Sequence, residues 1–140
     1  TQGVSSAASD VYKRQTLELA IEKEVDLSGD PDKLERVFDN LLRNAVNYSY
    51  PNTVIQLSME QRKEEHKVLL RVQNHGRTIA KEKLEHIFEQ FFRVDASRSS
   101  ATGGSGLGLA IARQIVEMHH GQIRAESVDE MIVFEVELPI

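Results

Sequence analysis

Three asparagines stand in line on a segment whose apolar residues recur at helical spacing. Asn40, Asn44 and Asn47 fall within about 60° of arc on one helix face. Asparagine is a poor helix former because its amide competes for backbone hydrogen bonds, so this row requires an explanation. The side-chain oxygens would suit a hard cation, and the amide nitrogens would donate to phosphate. A solvated helix edge that tolerates asparagine is the alternative interpretation.

A glycine-rich segment at residues 103–108, Gly-Gly-Ser-Gly-Leu-Gly, leads into a second run at helical spacing. Glycines allow a backbone to approach a ligand closely and to adopt unusual dihedral angles. The N-terminus of the following helix would offer unpaired N–H groups and the positive end of the helix dipole, which together bind anions. The glycine spacing fits neither a Walker A loop nor a Rossmann fingerprint. The alternative is a flexible hinge ahead of a helix.

The bulk composition limits the class of protein in which these residues act. The 140 residues fit one domain, and 40% hydrophobic with 28% charged residues is typical of a globular protein. The net charge of −5 gives no general attraction to nucleic acid. The chain has no cysteine, and none of its runs approaches the roughly 18 apolar residues of a membrane span. We therefore expect a monomeric cytoplasmic domain that contacts neither nucleic acid nor membrane.

Capping signals and periodicity predict the elements that position these residues. Asp30 is a good N-cap and Pro31 a good first residue for a helix that runs to about Tyr48. A short helix is predicted over Lys81–Glu89, and a second long helix from about Leu107 to His119. Alternating runs predict four strands, at Val54–Gln61, Lys67–Gln73, Gly121–Ser127 and Met131–Leu138.

This order of elements predicts an α+β fold of two layers, a mixed sheet of about five strands with about three helices on one face. Residues 16–29 would hold either a strand or the tail of an upstream element, and their pattern does not decide which. Residues 93–105 are rich in Ser, Gly, Arg and Thr without a period, so a mobile loop is expected there. Residues 1–15 are expected to be a non-native or disordered segment before a domain of residues 16–140.

Four motifs occur in order along the chain. Residues 32–49 read DKLERVFDNLLRNAVNYS, residues 74–79 read NHGRTI, residues 87–93 read IFEQFFR and residues 104–111 read GSGLGLAI. They resemble the N box, first glycine box, F box and second glycine box of the sensor histidine kinase catalytic domain. That domain belongs to a larger family that includes the gyrase, Hsp90 and MutL ATPases. The resemblance implies the two-layer α/β sandwich of the Bergerat type.

The resemblance also implies a site for ATP and Mg²⁺. Asn40 would ligate Mg²⁺, Asn44 would contact the phosphates or share the metal, and Arg93 would supply positive charge to the triphosphate. These three residues would act in catalysis. Tyr48 would pack beside the nucleotide. The boxes imply further nucleotide-binding residues, namely Asn47, Asn74, Gly76, Ile79, Phe91, Gly104, Ser105, Gly106, Leu107 and Gly108.

Some positions depart from the family pattern. The first glycine box normally opens with an Asp that accepts from the adenine amino group, but here Asn74 stands in that place, and Thr78 replaces the second glycine. A hydrogen bond to a neutral acceptor is weaker than one to a charged acceptor by about 1 kcal/mol, or about five- to tenfold in affinity. We therefore expect weakened ATP binding. The N box usually carries Lys where Asn47 stands, and Arg43 would compensate. The pattern Asn-x-Gly-x-Thr-Ile also resembles vancomycin-resistance-type sensor kinases, which indicates a working subfamily.

By the same resemblance, the full-length protein would transfer the γ-phosphate of ATP to a histidine in two-component signalling. The partners of this domain would be a separate histidine-bearing dimerisation domain and, indirectly, a response regulator. The full-length parent would be a membrane-anchored sensor. No Ser-His-Glu-x-x-Thr-Pro-like segment occurs in this sequence, so the fragment would bind nucleotide without autophosphorylating. His119 and His120 would cap the second long helix and not catalyse.

Three other functions stay open at this point. An ATPase with a conformational output shares the boxes but needs a water-activating acid and a transducer domain. Glu35 and Asp39 are the nearby carboxylates, and we expect a solvated or interdomain role for them. A nucleotide-sensing pseudokinase is motivated by Asn74 and Asn47. A serine-directed kinase also shares the boxes, although the long segment 93–105 and the F box favour the histidine branch.

Overall fold

The computed structural model describes residues 15–21, 29–92 and 107–140, which form a mixed sheet covered on one face by helices. In chain order the elements are β1 (Thr16–Ile21), α1 (Pro31–Tyr48), β2 (Val54–Arg62), β3 (Lys67–His75), α2 (Lys81–Leu84), α3 (Gly108–Met118), β4 (Gln122–Val128) and β5 (Met131–Pro139). A short 3-10 turn, Lys63–Glu65, joins β2 to β3. This confirms the predicted two-layer α+β fold, and the four predicted strands end within two residues of their observed bounds.

The sheet has the strand order β1-β2-β3-β5-β4. Strand β1 runs parallel to β2, with Thr16 opposite Val54 and Ile21 opposite Met59, and the other neighbours are antiparallel. The undecided segment after residue 15 therefore begins with a strand. Its side chains are exposed apart from the half-buried Leu17, so it shows little of the buried–exposed alternation by which the other strands were predicted.

The hydrophobic core lies between the sheet and the helices α1 and α3. Helix α1 buries one face made of Leu34, Val37, Leu41, Leu42, Ala45 and Val46. Facing it are the helix-side residues of the central strands, among them the fully buried Val72 and Phe134. The Phe88 ring packs edge-on against Phe134, with ring centroids 6.0 Å apart. No helix within residues 29–92 and 107–140 is long and apolar enough to cross a bilayer.

The other face of the sheet is occupied by ion pairs. Arg124 bonds Glu135 at 2.6 Å, Arg71 bonds the same carboxylate at 2.7 Å, and Lys67 bonds Glu137 at 2.9 Å. The hydrogen bond from Lys67 holds the pKa of Glu137 below its usual value. This face is therefore polar, and the asparagine row lies on the helical side of the molecule.

Helix α1 begins where its capping signals predict. The Asp30 carboxylate accepts from the backbone N–H of Asp32 at 3.0 Å and of Lys33 at 3.3 Å, and Pro31 is the first helical residue. The helix ends at Tyr48, because Ser49 takes an extended conformation while its N–H still bonds the Ala45 carbonyl. The predicted bounds of this helix are confirmed.

A histidine links the start of α1 to the end of α3. The backbone N–H of Asp30 donates to His119 Nε2 at 3.1 Å, and His119 Nδ1 donates to the Ile115 carbonyl at 2.8 Å. A neutral ring with its proton on Nδ1 satisfies both bonds. Gly29 passes so close that a Cβ there would lie 2.2 Å from the ring. The predicted capping role of His119 is confirmed, and the same ring also joins two helices.

The prediction of a helix over Lys81–Glu89 was wrong in length, because α2 covers only Lys81–Leu84. After this turn the bonds become shorter-range, from His86 N–H to the Lys83 carbonyl and from Glu89 N–H to the His86 carbonyl. A tightened chain of this kind does not continue as an α-helix. Its apolar side chains still face inward as predicted, with Ile87 buried and Leu84 and Phe88 half-buried.

Replacing Asp30 with Ala should lower the free energy of unfolding by about 1 kcal/mol, because two N–H groups at the start of α1 lose their acceptor. Urea unfolding followed by circular dichroism measures the change. The matched control is Glu35→Ala, an exposed carboxylate one turn later, which should change stability by less than about 0.5 kcal/mol. Equal effects from the two variants would contradict the assigned cap.

Candidate functional site

The asparagine row lies at the boundary between the buried and exposed faces of α1. Asn40, Asn44 and Asn47 are all half-buried, and they flank the fully buried Leu41 and Ala45. A fully solvated helix edge therefore does not describe these positions. The row faces the rest of the fold with amide groups that both donate and accept.

The N-terminus of α3 meets one end of this row. A Cβ added at Gly108 would lie 3.7 Å from Oδ1 and Cγ of Asn40, so the first residue of α3 lies beside that amide. Among the residues that the structure describes, no side chain caps this helix at Leu107. Its first N–H groups and its positive dipole end are thus directed toward the region beside Asn40, which is chemistry suited to an anion.

The other end of α1 lies against the end of β3. A Cβ at Gly76 would lie 2.2 Å from the carbonyl oxygen of Tyr48, so this approach is possible only with glycine. Ser49 forms a β-bridge with Gly76, and Tyr50 N–H donates to the His75 carbonyl at 2.8 Å. The distance along α1 from Asn40 to Tyr48 is about 12 Å at 1.5 Å per residue. Helix α1 therefore lies against both Gly76 and Gly108.

Asn74 is a buried polar residue near the contact between α1 and β3. It is the last helix-facing residue of β3, pairs with Ile132 on β5, and is only 1% exposed. Neither its Oδ1 nor its Nδ2 has a hydrogen-bond partner among the described residues. A buried amide without partners costs about 1–3 kcal/mol and calls for a specific explanation. A planar group with its own donor and acceptor, such as a nucleobase edge, would be complementary to this unpaired carboxamide.

The hairpin between β4 and β5 fixes the chain that follows Asn74. Gly76 N–H donates to the Glu130 carbonyl at 3.0 Å, and Glu130 N–H donates to Thr78 Oγ1 at 2.8 Å. The Tyr50 hydroxyl donates to the Glu130 carboxylate at 2.5 Å, which raises the pKa of Tyr50. The hydrogen bond from Glu130 to the Thr78 hydroxyl explains why threonine stands where the family pattern has glycine. The sequence reasoning missed Tyr50 and Glu130, because partners 80 residues apart leave no local pattern.

A shallow cleft of about 430 Å³ lies beside this hydrogen-bond network and shares Tyr50 and Glu130 with it. Its lining consists of Tyr50, Thr53, Val54, His75, Asp129 and Glu130. Neither Asn74 nor any residue of the asparagine row contributes to it. The cleft is therefore separate from the region between α1 and α3.

The other predicted site residues are placed as follows. Tyr48 is half-buried and packs on the core, Ile79 is buried in the core, and Leu107 is half-buried just before α3. Phe91 is 68% exposed with a φ of 65°. Four predicted residues lie outside the described ranges, namely Arg93, Gly104, Ser105 and Gly106.

Arg43 is the residue expected to replace a missing phosphate-binding lysine. Its side chain is 68% exposed and bonds Asp39 at 3.2 Å, one turn earlier on α1. An exposed pair of this kind contributes about 0–1 kcal/mol, so Arg43 is easily released. Asp39 is engaged in the same pair, and Glu35 is exposed.

The ligand types around α1 are compatible with Mg²⁺. Within the described part of the chain, no three His, Cys, Asp or Glu side chains are placed to hold a metal. A cation here would take an amide oxygen such as Asn40 Oδ1, with oxygens from the ligand and water completing its shell. Mg²⁺ is usually bound in that way beside phosphates.

Residues 29–140 match the family described as "Histidine kinase-, DNA gyrase B-, and HSP90-like ATPase". The chain belongs to this family. The match begins beside the N-cap of α1 and includes both glycine segments, so it covers every part of the site described above.

Within the family, the chain is similar to sensor kinases. It is 45% identical over 127 residues to the sensor protein VanSC of Enterococcus gallinarum, covering 91% of this chain and 34% of the relative. It is 50% identical over 117 residues to VanS of Enterococcus faecium, covering 84% of this chain and 30% of the relative. The chain therefore spans about a third of the length of these relatives. The predicted resemblance to sensor histidine kinases, including the VanS type, is confirmed.

Solved histidine kinase structures share the fold. The mycobacterial sensor histidine kinase MprB superimposes with a TM-score of 0.83 at 27% identity, covering 99% of this chain and 93% of that one. The catalytic domain of histidine kinase ThkA gives a TM-score of 0.84 at 27% identity, covering 99% and 88%. This ATPase-family chain therefore has the fold of a histidine kinase catalytic domain.

Replacing Gly76 with Ala should lower the free energy of unfolding by about 1–3 kcal/mol, because the new methyl group overlaps the Tyr48 carbonyl. The matched control is Gly108→Ala, whose methyl group would make ordinary contact with Asn40 at 3.7 Å and should not destabilise the fold. Thermal and urea unfolding measure both variants. A Gly76→Ala variant as stable as the control would contradict the close contact between α1 and β3.

Proposed function

We propose that this chain binds Mg·ATP between α1 and α3 and, in its parent protein, transfers the γ-phosphate to a histidine of a separate dimerisation domain. The observation that carries the proposal is the buried Asn74 amide, whose two polar atoms have no partner among the described residues. It lies near the C-terminal end of α1, and Asn40 at the middle of the same helix adjoins the uncapped start of α3. A ligand with a base at one end and phosphates at the other fits both features.

Different residues of the chain would bind different parts of the nucleotide. Asn74 reads the base, and Tyr48 packs beside the nucleoside. Asn44 and the first N–H groups of α3 donate to the phosphates, and Asn40 Oδ1 ligates Mg²⁺. The family resemblance assigns further phosphate contacts to Asn47, Arg93, Gly104, Ser105, Gly106 and Gly108, and contacts around the base to Gly76, Ile79, Phe91 and Leu107.

Phosphoryl transfer requires mainly that the protein position the reacting groups and neutralise the charge of the phosphates. Backbone N–H groups and amides held on rigid helices meet that requirement without a basic side chain that abstracts a proton. Asp39 forms a weak ion pair with Arg43, and Glu35 is exposed. The kinase branch is preferred to a water-activating ATPase because the relatives are named sensor proteins.

The wider signalling role follows from the relatives and is part of the same proposal. They are named sensor proteins, and this chain corresponds to 34% and 30% of their lengths. We infer that the parent carries a histidine-bearing dimerisation domain, acts through a response regulator and holds this domain on the cytoplasmic side of a membrane. The isolated domain, without that histidine, would bind nucleotide and not phosphorylate itself.

Mixing the domain with Mg·ATP labelled at the γ-phosphate and a phosphoacceptor hairpin from a VanS-type relative should produce acid-labile label on the hairpin. The domain alone should stay unlabelled, as should a mixture whose hairpin has Gln in place of the acceptor histidine. Label retention after acid and base treatment measures phosphohistidine. Nucleotide binding without any labelled hairpin would refute the transfer step and favour a nucleotide-sensing module.

Replacing Asn44 with Ala should weaken Mg·ATP binding by about tenfold or more, because a donor to a charged phosphate is lost. Asn40→Asp should change how binding depends on Mg²⁺ concentration, since a charged ligand replaces a neutral one. Isothermal titration calorimetry at several Mg²⁺ concentrations measures both effects. The control is Gln114→Ala, which removes an exposed amide from α3. If all three variants bind like the wild type, the site is assigned to the wrong helix.

A further inference from the structure

The unpaired amide of Asn74 bears on which nucleotides this site accepts. We infer that the site binds 6-oxopurine nucleotides as well as 6-aminopurine nucleotides, with Asn74 as the residue that reads position 6 of the base. This inference rests on the proposed function, since it requires that the base contact Asn74. It concerns substrate class, which neither the fold nor the family membership fixes.

No described residue fixes the orientation of the Asn74 amide. Its Oδ1 and Nδ2 are both buried and both without partners. The neighbours that the structure identifies are the empty Cβ position of Gly76, 3.2 Å from Nδ2, and Ile132 across the strand pair. Neither offers a polar side chain. A rotation of 180° about the terminal side-chain bond therefore exchanges donor and acceptor without breaking a hydrogen bond.

The edges of both kinds of purine are complementary to such an amide. A 6-aminopurine presents a donor at its amino group and an acceptor at N1. A 6-oxopurine presents an acceptor at O6 and a donor at N1–H. A carboxamide pairs with the first edge in one orientation and with the second edge in the other. A carboxylate at the same place has no hydrogen to donate. Facing position 6, it accepts from the amino group of a 6-aminopurine but opposes O6 of a 6-oxopurine.

Burial makes the choice of hydrogen-bond partner at Asn74 energetically significant. Asn74 is 1% exposed, so water does not replace a mismatched hydrogen bond there. Sites built to pair with a polar substrate group discriminate strongly when the wrong partner leaves buried groups unpaired. An amide that adapts to both edges removes this source of discrimination, whereas an Asp in its place would impose it.

The test compares Mg·ATP with Mg·ITP, two nucleotides whose bases differ only at the 6-oxo edge. Dissociation constants are measured by calorimetry for the wild type, for Asn74→Asp and for Gln73→Glu. The last variant makes the same amide-to-carboxylate change one residue earlier on β3, where the side chain points to the opposite face of the sheet and bonds Gln56. It therefore controls for the added negative charge.

The wild type and Gln73→Glu should bind ITP within about tenfold of ATP. Asn74→Asp should tighten ATP, weaken ITP and so raise the ITP-to-ATP ratio of dissociation constants at least about tenfold, or about 1.4 kcal/mol. If the Asn74→Asp variant does not fold, the ratio of the ITP and ATP dissociation constants of the wild type alone tests the inference.

Two results would overturn the inference while leaving the proposed function intact. One is a wild type that binds ATP but binds ITP more than a hundredfold more weakly, and the other is an unchanged ratio in folded Asn74→Asp. Failure of the wild type to bind either nucleotide would remove the proposed function itself, and the inference with it.

Discussion

The close approach of α1 to the end of β3 is the constraint on which the site depends. It exists because Gly76 has no side chain, and a methyl group there would lie 2.2 Å from the Tyr48 carbonyl. The contact brings Ser49 into a β-bridge with Gly76 and places the helix end directly beside the strand that carries Asn74. The Glu130 backbone then holds Gly76 from the other side at 3.0 Å. One backbone position therefore determines where the Asn74 amide lies.

The same helix also fixes the position of α3. At its start, the backbone N–H of Asp30 donates to His119, which caps the C-terminal end of α3. At its middle, Asn40 lies against Gly108, the first residue of α3. Two contacts at opposite ends of α3 orient the helix, so its N-terminal N–H groups are presented beside the asparagine row. The stability of α1 and the geometry of the site are thus coupled through ordinary helix packing.

Sequence reasoning succeeded where the determining interactions are local. The bounds of α1 followed from Asp30, Pro31 and apolar periodicity, and those of the strands from alternation. It left β1 undecided because that exposed edge strand depends on parallel pairing with β2, which no local pattern reports. It made α2 too long because inward spacing of apolar residues does not distinguish an α-helix from tighter turns. The bond from Glu130 to Thr78, across 52 residues, was likewise invisible, although Thr78 was noted as a departure.

The central claim is that a nucleotide spans α1 from the Asn40 end to Asn74. Side-chain NH₂ resonances in ¹H–¹⁵N spectra report each asparagine directly during a titration with Mg²⁺ and a non-hydrolysable ATP analogue. Saturable shifts are expected for Asn74 and Asn44 with one common dissociation constant, and none for Asn52 in the exposed turn before β2. Saturable binding that leaves Asn74 unchanged, or that shifts only residues of the Tyr50–Glu130 cleft, would contradict it.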